Sequence, residues 1–217
     1  MRLIKEFIRI TILLGLLLSP LFTGTAYANW YSFYQQGNFY GIWATIHTPG
    51  GRPFVGSGDG QSHSVTTPGG GDFVQTGWLL HDYQTQALQY YEYGVNGMYD
   101  QVWLNPQAWG TGIKYEVSQE GALDNWCVWI NGVQVRCWAG VNNAPMSLIA
   151  QSEIHIDPNT VISTKFEGIR VRNASGVWIY PTLNGHIWSD PPYKYAITSS
   201  DSFITFRLAI YLPLVVR

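Results

Sequence analysis

Trp126-Cys-Val-Trp-Ile130-Asn131-Gly132-Val133-Gln-Val-Arg-Cys137-Trp138 is the stretch on which the fold class turns. Two short runs of β-branched and aromatic residues meet at Asn-Gly, a dipeptide that accepts positive φ at both centres of a type I′ turn. A β-hairpin is the expected result. A plain two-residue turn would set Cys127 opposite Arg136, so pairing Cys127 with Cys137 requires a one-residue slip such as a bulge. In an oxidising compartment a cross-strand disulfide is then expected. The rival, a two-cysteine metal site, has no ligand partners nearby in sequence.

Runs of the same kind recur on both sides of this hairpin: 40–47, 73–80, 87–93, 101–104, 113–117, 148–156, 167–172 and 176–180. Turn chemistry separates them at Thr48-Pro49-Gly50-Gly51, Pro68-Gly69-Gly70-Gly71 and Asn184-Gly185. Long stretches of helical period are missing. Short strands with Gly/Pro punctuation predict an all-β, two-sheet antiparallel β-sandwich. The sandwich domain is expected over 29–186. The remainder, 187–217, opens with Asp190-Pro191-Pro192 and closes on an apolar run, and is expected to add an edge strand or dock on a partner.

Composition narrows the function classes. Only 12% of the 217 residues are charged, against roughly 25% in ordinary domains. Ten Trp and 14 Tyr exclude a disordered chain. A net charge of −2 with no basic run excludes a nucleic-acid binder. Residues 1–28 read as a signal peptide: Arg2, Lys5 and Arg9 precede an apolar run from Ile10 to Leu18, and Ala26-Tyr27-Ala28 is a small-x-small cleavage site. The apolar run is shorter than the ~20 residues that span a bilayer. The expected product is a secreted monomer without a transmembrane segment, needing no cofactor and no metal.

Common catalytic motifs are absent. There is no Gly-x-Ser-x-Gly elbow, no zinc helix, no P-loop lysine and no EF-hand spacing. The five histidines (47, 63, 81, 155 and 186) are scattered, and Gly50–Gly60 reads as a mobile surface loop. Most carboxylates sit in turn-like contexts. Two glutamates do not: Glu92 in Gln-Tyr-Tyr-Glu-Tyr and Glu153 in Leu-Ile-Ala-Gln-Ser-Glu-Ile-His-Ile. Period-two alternation puts Gln151, Glu153 and His155 on one face of their strand. In Phe73-Val-Gln75-Thr-Gly77-Trp78, Gln75 is mid-strand beside a glycine that permits close approach to the sheet.

Taken in chain order, Phe-Val-Gln75-Thr76-Gly77-Trp78, Tyr91-Glu92-Tyr93 and Gln151-Ser152-Glu153 resemble the glutamic peptidases. The fungal eqolisins carry a Gln-Thr-Gly strand, a Tyr-Glu-Trp strand and an Ala-Glu-Trp strand in that sequence. The neprosin-like group has comparable strands. Lys165-Phe-Glu-Gly-Ile-Arg-Val-Arg172 is similar to the strand that follows. Two departures stand out. Ser62-His63-Ser64-Val65 occupies the place of a Trp-bearing strand, and Glu153 is followed by Ile-His rather than Trp-Ile. The resemblance implies a β-sandwich whose concave face holds a catalytic dyad of Gln75 and Glu153. Tyr91, Glu92, Tyr93 and Trp78 are then expected to line the substrate groove, and the substrate is a polypeptide.

The implied chemistry is coherent. A glutamate can take a proton from water and return it to the leaving amine. An amide N–H can stabilise the developing oxyanion, worth about 3–4 kcal/mol per donor. A chain poor in ion pairs also suits acid. The competing class is a non-catalytic carbohydrate-binding sandwich, in which exposed Trp and Tyr stack on sugar rings. A glycosidase would need two carboxylates about 5–10 Å apart, and only Glu92 and Glu153 could serve.

Overall fold

The computed structural model describes residues 30–67, 72–142, 144–155 and 161–207. The predicted signal peptide lies outside them. The elements are β1 (Trp30–Phe39), β2 (Gly41–His47), β3 (Gly60–Thr66), β4 (Phe73–His81), β5 (Ala87–Val95), β6 (Met98–Gln107), β7 (Gly112–Gln119) and β8 (Trp126–Ile130). They continue as β9 (Val133–Trp138), β10 (Met146–Ile154), β11 (Thr164–Arg172), β12 (Trp178–Ile179), β13 (Ile187–Ser189), β14 (Tyr193–Ser199) and β15 (Ser202–Arg207).

Two antiparallel sheets make a β-sandwich. Sheet A has the order β13-β1-β10-β3-β4-β5-β6, and sheet B the order β14-β15-β11-β2-β7-β8-β9, with β12 beside β11. Residues 187–207 therefore supply strands to both sheets. The core between the sheets follows from alternation along each strand. Ile42, Ala44 and Ile46 of β2 and Val74, Trp78 and Leu80 of β4 belong to it, all fully buried. Each such aliphatic side chain contributes roughly 1.5–3 kcal/mol through burial.

The hairpin that decides the class forms as its residues require. Asn131 and Gly132 take φ of 51° and 77°. Ile130 pairs with Val133 and Trp129 with Gln134, but Val128 pairs with Arg136. Val135 is thus the extra residue of a bulge, and the slip brings Cys127 opposite Cys137, where they form a disulfide. Asn96-Gly97, with φ of 52° and 73°, makes the same kind of turn between β5 and β6.

A buried polar network joins the sheets near β3. The His63 ring lies 4.1 Å from that of Trp78. His63 Nδ1 and Ser152 Oγ are 2.8 Å apart, and Ser152 Oγ and Thr205 Oγ1 are 2.9 Å apart. Burial lowers the His63 pKa to about 3, so the ring is neutral over most of the acid range.

Candidate functional site

The outer face of sheet A holds a cavity of about 390 Å³ lined by Gln75, Glu92, Gln151 and Glu153, with Tyr31, Phe33 and Phe73 among its walls. Alternation selects these side chains. Odd-numbered residues of β1, β4 and β10 and even-numbered residues of β3 and β5 point to this face. Both Gln75 and Glu153 are nearly closed off from solvent, at 7% and 8% exposure.

Gln75 and Glu153 are not on adjacent strands, because β3 runs between β4 and β10. Gln75 pairs with Thr66, which pairs with Ile149, whereas Glu153 pairs with Ser62, four residues further along β3. The β10 side chain that reaches Gln75 is that of Gln151, whose Nε2 lies 3.5 Å from Gln75 Oε1. On the other side Gln75 Nε2 donates to Glu92 Oε2 at 2.6 Å. The two contacts fix the amide with its oxygen toward β10 and its nitrogen toward β5. Glu92 also accepts from Gln101 Nε2 at 3.1 Å and from the Tyr99 hydroxyl at 2.7 Å. Those donors hold its carboxylate in place.

Glu153 sits in a different setting. Burial raises its pKa above the ordinary carboxylate value. His155, with Nδ1 3.8 Å from Oε1, and a hydrogen bond with Tyr31 both pull it down, and the Glu92 charge pushes it up. The Tyr90 hydroxyl lies by Ser64 and Ser62 and near both glutamates, and its burial keeps the phenol protonated. The site thus holds two carboxyl groups in unlike surroundings: Glu153 is buried, and Glu92 accepts from Gln75, Gln101 and Tyr99.

Three residues expected in the groove lie elsewhere. Trp78 is fully buried between the sheets, since position 78 has the opposite parity to Gln75 on β4. Tyr91 and Tyr93 flank Glu92 and therefore face the core, with ring centroids 5.5 Å and 4.8 Å from Trp138. Their place is taken by Tyr31 and Phe33 of β1 and Phe73 of β4. Period-two alternation applied to Tyr-Tyr-Glu-Tyr puts Tyr91 and Tyr93 on the face opposite Glu92. The expected closeness at Gly77 is internal: a Cβ there would lie 1.9 Å from the His63 carbonyl oxygen, so the neighbour is β3 itself. Among the described residues no three His, Cys, Asp or Glu side chains gather as a metal site.

No protein-family model and no curated protein sequence matches the chain. Solved structures do. The Scytalido-glutamic peptidase crystallised with a peptide-based transition-state analog superposes with a TM-score of 0.58 at 14% identity, covering 84% of this chain and 99% of that one. SCP-B, a member of the eqolisin family of peptidases in a complex with the tripeptide Ala-Ile-His, gives 0.54 at 13%, with 84% and 99% covered. The chain has the fold of the glutamic peptidases. At such identities the likeness is one of fold.

Proposed function

We propose that this protein is a secreted glutamic-peptidase-like hydrolase of polypeptides, with Glu153 as the proton carrier and Gln75 as the amide donor. The observation that carries the reading is one cavity in which a carboxyl raised by burial shares walls with a fixed carboxamide. Ionised Glu153 takes a proton from water as the water oxygen bonds to the scissile carbonyl carbon. The carbonyl oxygen becomes an oxyanion, and the second N–H of Gln75, directed by the Glu92 and Gln151 contacts, donates to it. Protonated Glu153 then gives its proton to the amide nitrogen, the C–N bond breaks, and the carboxylate is restored. Gln151, between the two on the same face, adds a second amide. The Cys127–Cys137 bond supports an oxidising, extracellular setting.

The test is hydrolysis of a denatured protein by the purified mature chain across pH 2–8. Glu153→Gln should abolish turnover, because an amide cannot accept and return the proton. Gln75→Ala should lower kcat by roughly 10²–10³ and leave the fold intact. Full hydrolysis by Glu153→Gln would remove Glu153 from the reaction. A second reading, a carbohydrate-binding sandwich, is favoured by the exposed Trp103 and Trp188, 44% and 46% accessible. It prevails if the wild type cleaves nothing and retains polysaccharide.

A further inference from the structure

His155 lies one residue past β10, where its backbone N–H still donates to the Gly60 carbonyl at 3.2 Å. Strand alternation therefore carries on to it and sends its ring to the face that bears Glu153. Its Nδ1 lies 3.8 Å from Glu153 Oε1. The eqolisin strand has an isoleucine two residues after its glutamate, and Glu153-Ile154-His155 has an ionisable ring in that place. The ring is half-exposed and stands outside the core, so packing does not account for it.

Charge accounts for it better. The side chains lining the cavity include two carboxyl groups, Glu92 and Glu153, and no Lys, Arg or His. Glu92 is served by neutral donors, Gln75, Gln101 and Tyr99. Glu153 is buried, and burial acts against its charged form. A cation within about 4–6 Å acts the other way, and an imidazolium at His155 meets that condition. With 42% of its side chain exposed, His155 exchanges protons with solvent and keeps its charge hydrated. Other histidines are placed for other work. His63 is fully buried and its ring stays neutral over most of the acid range, and His47 pairs with Glu167 at 2.8 Å on sheet B.

We propose that His155 is a positioning residue for Glu153, its imidazolium holding the neighbouring carboxylate ionised in weakly acidic solution. Taking a proton from water requires the carboxylate form. As pH falls, burial favours the neutral acid, which cannot serve as a base. Imidazole gains its charge between pH 8 and pH 5, so the cation arrives on the acid side, before the carboxylate is lost. Protonation of His155 thus extends the ionised range of Glu153 downward in pH. Around the pair stand Tyr31 of β1, which hydrogen-bonds Glu153, and Glu92 of β5, whose charge opposes that of Glu153. Tyr90 and Tyr193 face the same carboxyl with phenols that burial keeps protonated. On the far side of His155 is His81 of β4, with Asp59 and Asp82 beside it, and burial and the His155 charge both hold His81 below the ordinary imidazole value. The consequence for turnover rests on the hydrolase reading above, and the electrostatic pairing does not.

The Glu153 carboxyl can be read directly. Protein labelled with carbon-13 glutamate is titrated by NMR from pH 3 to pH 8, and the Glu153 signal is the one that Glu153→Gln lacks. His155→Gln should move the Glu153 midpoint to higher pH, and His155→Lys, which keeps the charge, should leave it near wild type. Near-ultraviolet circular dichroism verifies that each variant is folded. Hydrolysis of a denatured protein is then followed with the same variants. At neutral pH both should stay within about twofold of the wild-type rate, whereas at pH 4.5 His155→Gln should fall at least about threefold below it. An unmoved midpoint in His155→Gln, with a rate lowered equally at every pH or not at all, overturns the proposal and leaves the hydrolase reading intact. A midpoint moved alike by both substitutions also overturns it, since charge is then not the cause. If the wild type hydrolyses nothing at any pH, the hydrolase reading falls and takes the role in turnover with it, even where the NMR midpoint moves.

Discussion

Gly77 leaves no space for even a methyl group. A Cβ would lie 1.9 Å from the His63 carbonyl oxygen and 2.7 Å from the Ser64 Cα, and both are backbone atoms that cannot swing aside. Gly77→Ala should therefore push β4 away from β3 and disturb Gln75, two residues distant. Overpacking of this kind costs about 1–3 kcal/mol, measurable as a lower urea midpoint. A stability equal to wild type would show that β3 and β4 can separate freely. Parity decides the neighbouring roles. Gln75 and Glu92 meet at 2.6 Å on the outer face, and Trp78, Tyr91 and Tyr93, one or three positions away, are committed to the core.

The β8–β9 hairpin was legible because its chemistry is local. Asn-Gly fixes the turn, and a bulge at Val135 resolves the one-residue conflict between turn and disulfide. The bridge closes a loop of sequence separation 10, for which chain entropy gives a stabilisation of about 2–3 kcal/mol. The double variant Cys127→Ser with Cys137→Ser should lose about that much in denaturant unfolding, and no loss would mean the hairpin is already rigid without it. By contrast, β3 was not legible. Gly-Gln-Ser-His-Ser-Val-Thr shows no hydrophobic alternation, yet all seven residues are buried. Its core-side His63 is satisfied by Ser152, and its outer Ser62 and Ser64 are covered from β5 by Tyr90. Polar residues that find partners only across distant strands carry no hydrophobic period. That gap also bears on the site: β3 runs between the strands of Gln75 and Glu153, and Gln151 is the β10 side chain in reach of Gln75.

Across the whole molecule, two buried titratable groups set opposite limits on working pH. His63 bridges toward Thr205 of sheet B through Ser152, and its other nitrogen faces Thr164 at 3.4 Å. Its folded pKa of about 3 lies below the ordinary 6.5. The unfolded chain then binds the extra proton between those values, so the stability present above pH 6.5 is lost as pH falls through about 3, by roughly 5 kcal/mol in all. That is a large share of a typical total of about 5–15 kcal/mol. Glu153 has the opposite sign. Its raised pKa gives stability that is fully present below the unfolded carboxylate value and is lost as pH rises through the folded value. Melting temperatures from pH 2.5 to 7.5 check both. His63→Gln keeps a hydrogen-bonding group but has no proton to gain, so it should lose less stability than wild type on acidification. Glu153→Gln should match wild type in acid and exceed it near neutrality. If His63→Gln instead tracks wild type through the acid range, the histidine does not set the lower limit. If Glu153→Gln brings no gain near pH 7, burial costs the ionised Glu153 carboxylate little.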